Sequence, residues 1–220
     1  MTNSEEKKTL LGRRIVKALE EAYPEAVCSL NYSKPWQLLF ATRLAAQCTD
    51  ARVNMVTPEL YSRYPTVKDL AEAELADVCE IIRSCGLYRT KAEQLINGAR
   101  VLLTEFGGEV PREMEDLLRI PGIGRKTANL IRGDVYGLPA VVADTHCIRL
   151  SGRLGLTKHK DPTRVERDLA AVIDPEKQND LCHRFVMHGR EVCTARAPAC
   201  GKCVMAEFCP SSTGDSSTVL

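Results

Sequence analysis

The sequence predicts an all-α protein, and three observations carry that prediction. Alanine and leucine are abundant, while aromatic residues make up only 5% of the chain. Alternating runs of β-branched residues, the period-two mark of a half-buried strand, are rare. Apolar residues instead recur three and four apart, between short stretches of Gly, Pro, Ser, Thr and Asp. With 220 residues the chain can bury a good core, as one large domain or two small ones.

The elements follow in order. Leu10, Leu11, Ile15, Val16 and Leu19 share one face of a first helix. Residues 36–48 and 51–61 read as two more, with Asp50 placed to cap the second. Thr66 and Asp69 form a capping-box pattern that opens a short helix, and residues 73–84 continue helical until Gly86. Thr90 can cap a helix over 91–105, which Gly107-Gly108 ends. Pro111 opens a short helix through Leu118. A turn at Pro121–Gly124 precedes a helix from about 125 to 135, stopped near Gly137. Asp144 heads a helix through about 153, and residues 162–173 and 177–191 form the last two. A cysteine-rich loop follows, then a Ser/Thr-rich tail over 212–220 that is predicted to be disordered.

Composition narrows the function classes. No apolar run is long enough to span a bilayer, and Met1–Leu10 is polar and charged, unlike a secretory leader. The expectation is a cytoplasmic protein with no membrane partner, nucleoid-associated if its source is prokaryotic. Ten cysteines in such a chain suggest reduced thiols and a metal rather than a disulfide framework. The formal net charge is only +1, yet residues 117–160 carry eight Lys/Arg against Asp134 and Asp144, a local excess of six. Residues 182–206 carry Arg184, Arg190, Arg196 and Lys202 against Glu191, an excess of three. A one-sided field of this kind can steer a polyanion while overall charge stays near zero.

Four cysteines, Cys193, Cys200, Cys203 and Cys209, crowd into seventeen residues with the spacing C-x6-C-x2-C-x5-C. So short a segment has little room for a core and calls for a metal centre. Cysteine-only ligation fits structural Zn²⁺ or an iron–sulfur cluster. Zinc ribbons pair two CxxC knuckles across a longer insert, whereas here one CxxC is flanked by gaps of six and five. No open ligand position is evident, so the metal reads as structural or redox-active rather than hydrolytic. Cys28, Cys48, Cys79, Cys85, Cys147 and Cys182 fall outside the pattern and read as small buried apolar residues.

The string Ile120-Pro121-Gly122-Ile123-Gly124-Arg125-Lys126-Thr127-Ala128 lies between two predicted helices. Gly122 and Gly124 let another backbone approach, Ile123 can plug the angle between the helices, and N–H groups at the start of the second helix offer an anion site. DNA phosphate is the natural ligand, held without sequence preference. Lys126 falls in the first turn of that second helix. A cation there opposes the positive pole of the helix dipole, a setting that favours the neutral amine needed to attack a sugar C1′. On position alone the residue reads equally as a phosphate contact. Asp144 reads as an N-cap, and its carboxylate could also stabilise the positive charge that develops as a glycosidic bond breaks.

Taken together, the hairpin string, Asp144 and the four spaced cysteines resemble the endonuclease III family of helix-hairpin-helix DNA glycosylases. The resemblance covers about residues 10–210. Supporting segments are Leu44-Ala45-Ala46-Gln47-Cys48-Thr49-Asp50, Gly86-Leu87-Tyr88-Arg89-Thr90-Lys91-Ala92 and His188-Gly189-Arg190. It implies two helical lobes with DNA in the cleft between them. One is a six-helix barrel lobe over 28–138 with the hairpin. The other is a discontinuous lobe, 1–27 plus 139–211, carrying a [4Fe–4S] cluster on the four cysteines. Lys126 falls on the family's catalytic lysine and Asp144 on its catalytic aspartate. Gln47 matches the residue that fills the gap left by a flipped nucleotide. Gly122, Ile123, Gly124 and Arg125 are expected at DNA, with Lys91, Arg149, Arg196 and Lys202 as further phosphate contacts. The six-residue loop Thr194–Ala199 holds fewer basic residues than is usual in the family, a departure that bears on its share of DNA affinity.

The implied function is base excision repair by a monomer acting on duplex DNA with a damaged base or abasic site. A flipped oxidised pyrimidine is removed, Lys126 forms a Schiff base, and β-elimination cuts the strand 3′ to the sugar. Two other readings remain: a uracil or thymine mismatch glycosylase, and a non-catalytic DNA-binding or redox-sensing iron–sulfur protein. The pairing of Lys126 with Asp144 argues against the last, because phosphate binding needs neither in that arrangement.

Overall fold

The structure is a computed structural model that describes residues 3–213. Residues 214–220 of the predicted tail lie outside the described residues, and within residues 212 and 213 the Ser212 N–H donates to the Cys209 carbonyl at 3.1 Å. Among the described residues there is no strand. The α-helices are α1 (Asn3–Ala22), α2 (Pro35–Leu44), α3 (Asp50–Arg63), α4 (Val67–Ala71), α5 (Leu75–Ile81), α6 (Tyr88–Phe106), α7 (Met114–Leu117), α8 (Arg125–Asp134), α9 (Thr145–Arg153), α10 (Pro162–Val172) and α11 (Gln178–Glu191). Short 3-10 turns at Cys200–Lys202 and Ala206–Phe208 follow. No described helix is long and apolar enough to cross a membrane.

The chain divides into two compact units. One is Cys28–Gly137, and the other joins the described parts of Met1–Val27 and Leu138–Leu220. The first unit contains α2–α8. Leu38, Leu39, Leu44, Val53, Leu60, Leu70, Ile82, Leu95 and Leu102 are all fully buried in its core. Helix α6 packs against α4 and α5, and α2 packs on α8. Each fully buried leucine contributes about 1.5–3 kcal/mol relative to exposure, so this core holds the hairpin between α7 and α8 on a rigid base. Within the second unit, α1 packs on α10 and α11, and α9 on α11. Ile15, Leu19, Leu150, Val165, Leu169 and Phe185 are buried there. Glu20 ties α1 to the other elements through Lys177 at 2.8 Å and Arg184 at 3.8 Å.

Several helix starts and stops follow the chemistry read from sequence and others do not: α5 ends at Ile81 rather than 84, and α7 begins at Met114, with Glu113 in the cap position, rather than being opened by Pro111. The capping box of Thr66 and Asp69 is present, and Asp144 caps α9 by accepting the Cys147 N–H at 2.7 Å. Helix α2 stops at Leu44 rather than running to 48. The Leu44 carbonyl, which a continuing helix would pair with the Cys48 N–H, instead accepts from Lys91 Nζ at 2.8 Å. Cys48 turns back to the Ala45 carbonyl at 3.1 Å. The cap of α3 is Thr49, whose hydroxyl accepts the Arg52 N–H, not Asp50. Helix α6 begins at Tyr88, so Thr90 lies inside it, and the residue before it, Leu87, adopts a left-handed backbone with φ of 58°.

Candidate active site and metal centre

The hairpin turns on Gly122, whose φ of +79° is closed to ordinary side chains. A methyl group placed there would meet the Arg43 Nε and Gln94 Oε1 atoms at 2.7 Å each. Those two side chains are hydrogen-bonded to each other and lie directly against the turn. Ile123 is buried and its N–H donates to the Ile120 carbonyl at 3.1 Å, so this residue plugs the angle between α7 and α8. Gly124 is exposed and extended at the head of α8. The first bond of that helix runs from the Ala128 N–H to the Gly124 carbonyl at 2.9 Å. Helix geometry aims the preceding N–H groups outward along the axis, where the dipole favours an anion. Arg125 and Lys126, the first two residues of α8, are both exposed. Gly122→Ala is expected to cost about 1–3 kcal/mol in a urea melt.

Two exposed non-glycine residues take the left-handed backbone, Gln47 with φ of 57° and Leu87 with φ of 58°. Among non-glycine residues such backbone marks stored strain and clusters at functional sites. The two turns lie together, since a Cβ on Gly86 would sit 3.8 Å from the Gln47 carbonyl oxygen. Leu87 was not singled out by sequence. Nothing in its residue type announces a left-handed backbone, and 60% exposure of a leucine is visible only once the chain is folded.

Lys91 corrects a sequence expectation. It is fully buried and cannot reach a phosphate. Its ammonium instead caps the C-terminal end of α2, the pole that favours a cation, three residues before Gln47. Burial pushes its pKa down, while the nearby Cys48 and Cys85 thiols push the other way. Lys91→Met leaves the Leu44 carbonyl unpaired and is expected to cost about 1–3 kcal/mol. Amide exchange over residues 45–48 should accelerate, with that of α8 unchanged.

Arg149 is a second correction. Its guanidinium is turned onto the chain, with Nη2 donating to the Gly189 carbonyl at 3.0 Å and the Cys193 carbonyl at 2.9 Å. His146 Nδ1 lies 3.1 Å from the same nitrogen. Gly189 makes that approach possible, because a Cβ there would lie 2.5 Å from His146 Nδ1 and 2.8 Å from Arg149 Nη2. Arg153, which sequence reading passed over, completes the frame. It donates to the Cys193 sulfur at 3.1 Å, the Thr194 carbonyl at 2.8 Å and the Ala195 carbonyl at 2.9 Å. His188, 1% exposed, bridges the Tyr23 hydroxyl at 3.1 Å and the Cys203 sulfur at 3.3 Å. Arg196 and Lys202 are exposed on the loop.

Cys193, Cys200, Cys203 and Cys209 line one cavity of about 30 Å³ together with Arg153. Among the described residues no three His, Cys, Asp or Glu side chains are grouped to hold a single metal ion. With Zn–S bonds near 2.3 Å, four thiolates on one zinc stand only about 3.8 Å apart. Four thiols around a shared cavity form the all-cysteine donor set that an iron–sulfur centre takes. Arg153 supplies the N–H···S hydrogen bond such sulfurs accept, so the donor set fits the cluster.

Known proteins share this arrangement. Residues 40–175 match the HhH-GPD superfamily base excision DNA repair protein family, and residues 193–209 match the iron-sulfur binding domain of endonuclease III. Endonuclease III of Synechocystis sp. is 50% identical over 200 residues, covering 90% of this chain and 91% of that protein. Endonuclease III of Escherichia coli K12 is 38% identical over 195 residues, covering 89% and 92%. A solved trapped endonuclease III–DNA covalent intermediate superposes with a TM-score of 0.86 at 36% identity, covering 96% of this chain and 98% of that one.

Proposed function

The chain belongs to the endonuclease III family, and from that premise we propose that Lys126 is the nucleophile of its chemistry and Asp144 the carboxylate that assists it. The protein is a base excision repair DNA glycosylase with abasic-site lyase activity, and a [4Fe–4S] cluster is its cofactor. The observation that carries the residue assignment is the place of the amine. Lys126 is exposed in the first turn of α8, beside a hairpin whose backbone suits close approach to phosphate.

The hairpin residues Gly122, Ile123, Gly124 and Arg125 hold the backbone of the duplex. Gln47 and Leu87, exposed on strained turns, occupy the gap left as the damaged nucleotide leaves the stack. The Lys126 amine attacks C1′ and the base departs. The resulting Schiff base acidifies the C2′ proton, and β-elimination breaks the strand 3′ to the sugar. The role assigned to Asp144, whose carboxylate is oriented by its bond from the Cys147 N–H, is to stabilise the positive charge at C1′ and to take a proton from the attacking amine. Cys193, Cys200, Cys203 and Cys209 hold the cluster, which supplies structural cross-linking to a segment without its own core. Arg196 and Lys202 reach for phosphate from that loop. The substrate class is oxidised pyrimidines in duplex DNA, and the protein acts as a monomer in the compartment that holds the DNA.

Borohydride trapping on a thymine-glycol duplex tests the reading. A covalent adduct that maps to the peptide containing Lys126 is expected. Adducts on uracil or thymine mismatches but none on thymine glycol would replace the substrate assignment with the mismatch reading.

A further inference from the structure

We propose that Cys48 and Cys85 are a peroxide-sensitive pair whose disulfide locks together the two turns carrying Gln47 and Leu87. The consequence for DNA rests on the reading that these turns enter the duplex, whereas the bond itself does not. Three observations bring the pair together. Cys85 lies in the core of its unit and Cys48 packs against that core, close enough that the Cys48 thiol adds to burial in pushing the Cys85 thiol up. Their neighbours run side by side, with a Cβ on Gly86 only 3.8 Å from the Gln47 carbonyl. The Lys91 ammonium lies close enough to both for charge to be felt, fixed by its 2.8 Å bond to the Leu44 carbonyl.

Both cysteines sit in turns rather than helices, so the small movement that closes a sulfur–sulfur bond of about 2.05 Å need not break a helix. Cys48 is half-buried between exposed Gln47 and Thr49, and Cys85 is fully buried behind it. This is the arrangement of an attacked thiol with a resolving partner. A second pair of neighbouring thiols, Cys147 with Cys182, makes the contrast. Those residues are 0% and 4% exposed and sit in α9 and α11, out of reach of an oxidant and on rigid supports.

The chemistry balances with hydrogen peroxide as oxidant. The Cys48 thiolate attacks one peroxide oxygen, the O–O bond breaks, and the leaving hydroxide takes a proton to become water. Cys48 is then a sulfenic acid. The Cys85 sulfur attacks the Cys48 sulfur, the S–O bond breaks, and the hydroxyl leaves with the Cys85 proton as a second water. Two sulfurs lose one electron each, and one peroxide becomes two waters. The Lys91 cation favours the Cys85 thiolate, but burial dominates and pushes that thiol up to about 11. Resolution is therefore the slow step. Once joined, the Gln47 and Leu87 turns cannot part to straddle a base step, and a dithiol reductant releases them.

The test oxidises holoprotein with hydrogen peroxide, alkylates without reduction and digests with trypsin. The expected product joins peptide 44–52 to peptide 84–89, lighter by two hydrogens than the two together, and it is absent from Cys48→Ala and Cys85→Ala. In parallel, borohydride trapping on a lesion duplex should fall at least tenfold in the oxidised native protein, recover with dithiothreitol and hold steady in oxidised Cys85→Ala. The cluster's visible absorbance is followed throughout to separate damage there. Absence of the joined peptide overturns the site. A joined peptide with unchanged trapping overturns the lock. If untreated protein does not trap at all, the lysine chemistry fails instead, while the peptide result still decides the disulfide.

Discussion

Replacing Lys126 with alanine is expected to abolish the borohydride-trapped adduct and strand cleavage, a loss on the order of 10⁴-fold or more, as when a nucleophile is removed elsewhere. Duplex affinity should fall far less. The contacts proposed for the hairpin, from its backbone N–H groups and Arg125, are untouched by the substitution, and one exposed cation contributes only a modest part of phosphate binding. Because Lys126 is exposed at the head of α8, its loss leaves no cavity and no unpaired buried group, so thermal stability should stay within about 0.5 kcal/mol. Single-turnover cleavage, trapping and anisotropy on the same duplex separate the three effects. Persistent trapping would move the nucleophile to another amine. Lys91 is the wrong candidate on physical grounds, since it is fully buried and committed to the Leu44 carbonyl.

The second large effect is expected at Cys203→Ala. Across residues 193–209 the only fully buried large apolar side chain is Met205, so hydrophobic burial contributes little there. Order instead comes from the centre and from Arg149, Arg153 and His188 gripping the loop. Structural metals can stabilise such segments by about 10 kcal/mol or more. Loss of one ligand should bleach the visible absorbance of the cluster and open the loop to trypsin at Arg196 and Lys202. The Cys28–Gly137 unit, which has its own core, should stay protected in the same digest. Cleavage spread evenly over both units would mean that the cluster supports the whole chain rather than the loop.

What the sequence made legible was local. The cap at Asp144, the box at Thr66 and Asp69, and the glycine turn before α8 each depend on residues within a few positions, and all are found where their chemistry puts them. What it hid depended on distant partners. Lys91 reads as a surface charge because lysine is rarely buried. Its burial follows from the end of α2, 47 residues earlier. That same bond ends α2 early and sets the Gln47 turn, so one long-range contact accounts for two misread features. Arg149 was likewise read as outward, yet its partners on Gly189 and Cys193 come from the far end of α11. Arg153, His188 and Leu87 carry no local signal of the contact or backbone angle that each makes, although His188 and Leu87 fall in segments that carry the family resemblance. Two belong to the frame of the cluster, and the third declares itself only through its backbone angle.

The split of the second unit across the chain has a consequence for synthesis. Helix α1 leaves the ribosome ahead of its partner α10, which begins about 140 residues later. At 5–20 residues per second that is a wait of roughly 7–30 s. During that interval the unit Cys28–Gly137 can complete itself, while the apolar stripe of Ile15, Val16 and Leu19 waits uncovered. Cluster assembly comes later still, after Cys209 has emerged. The nascent chain is therefore most vulnerable to aggregation through the uncovered stripe of α1, and iron can be loaded only after Cys209 has been made.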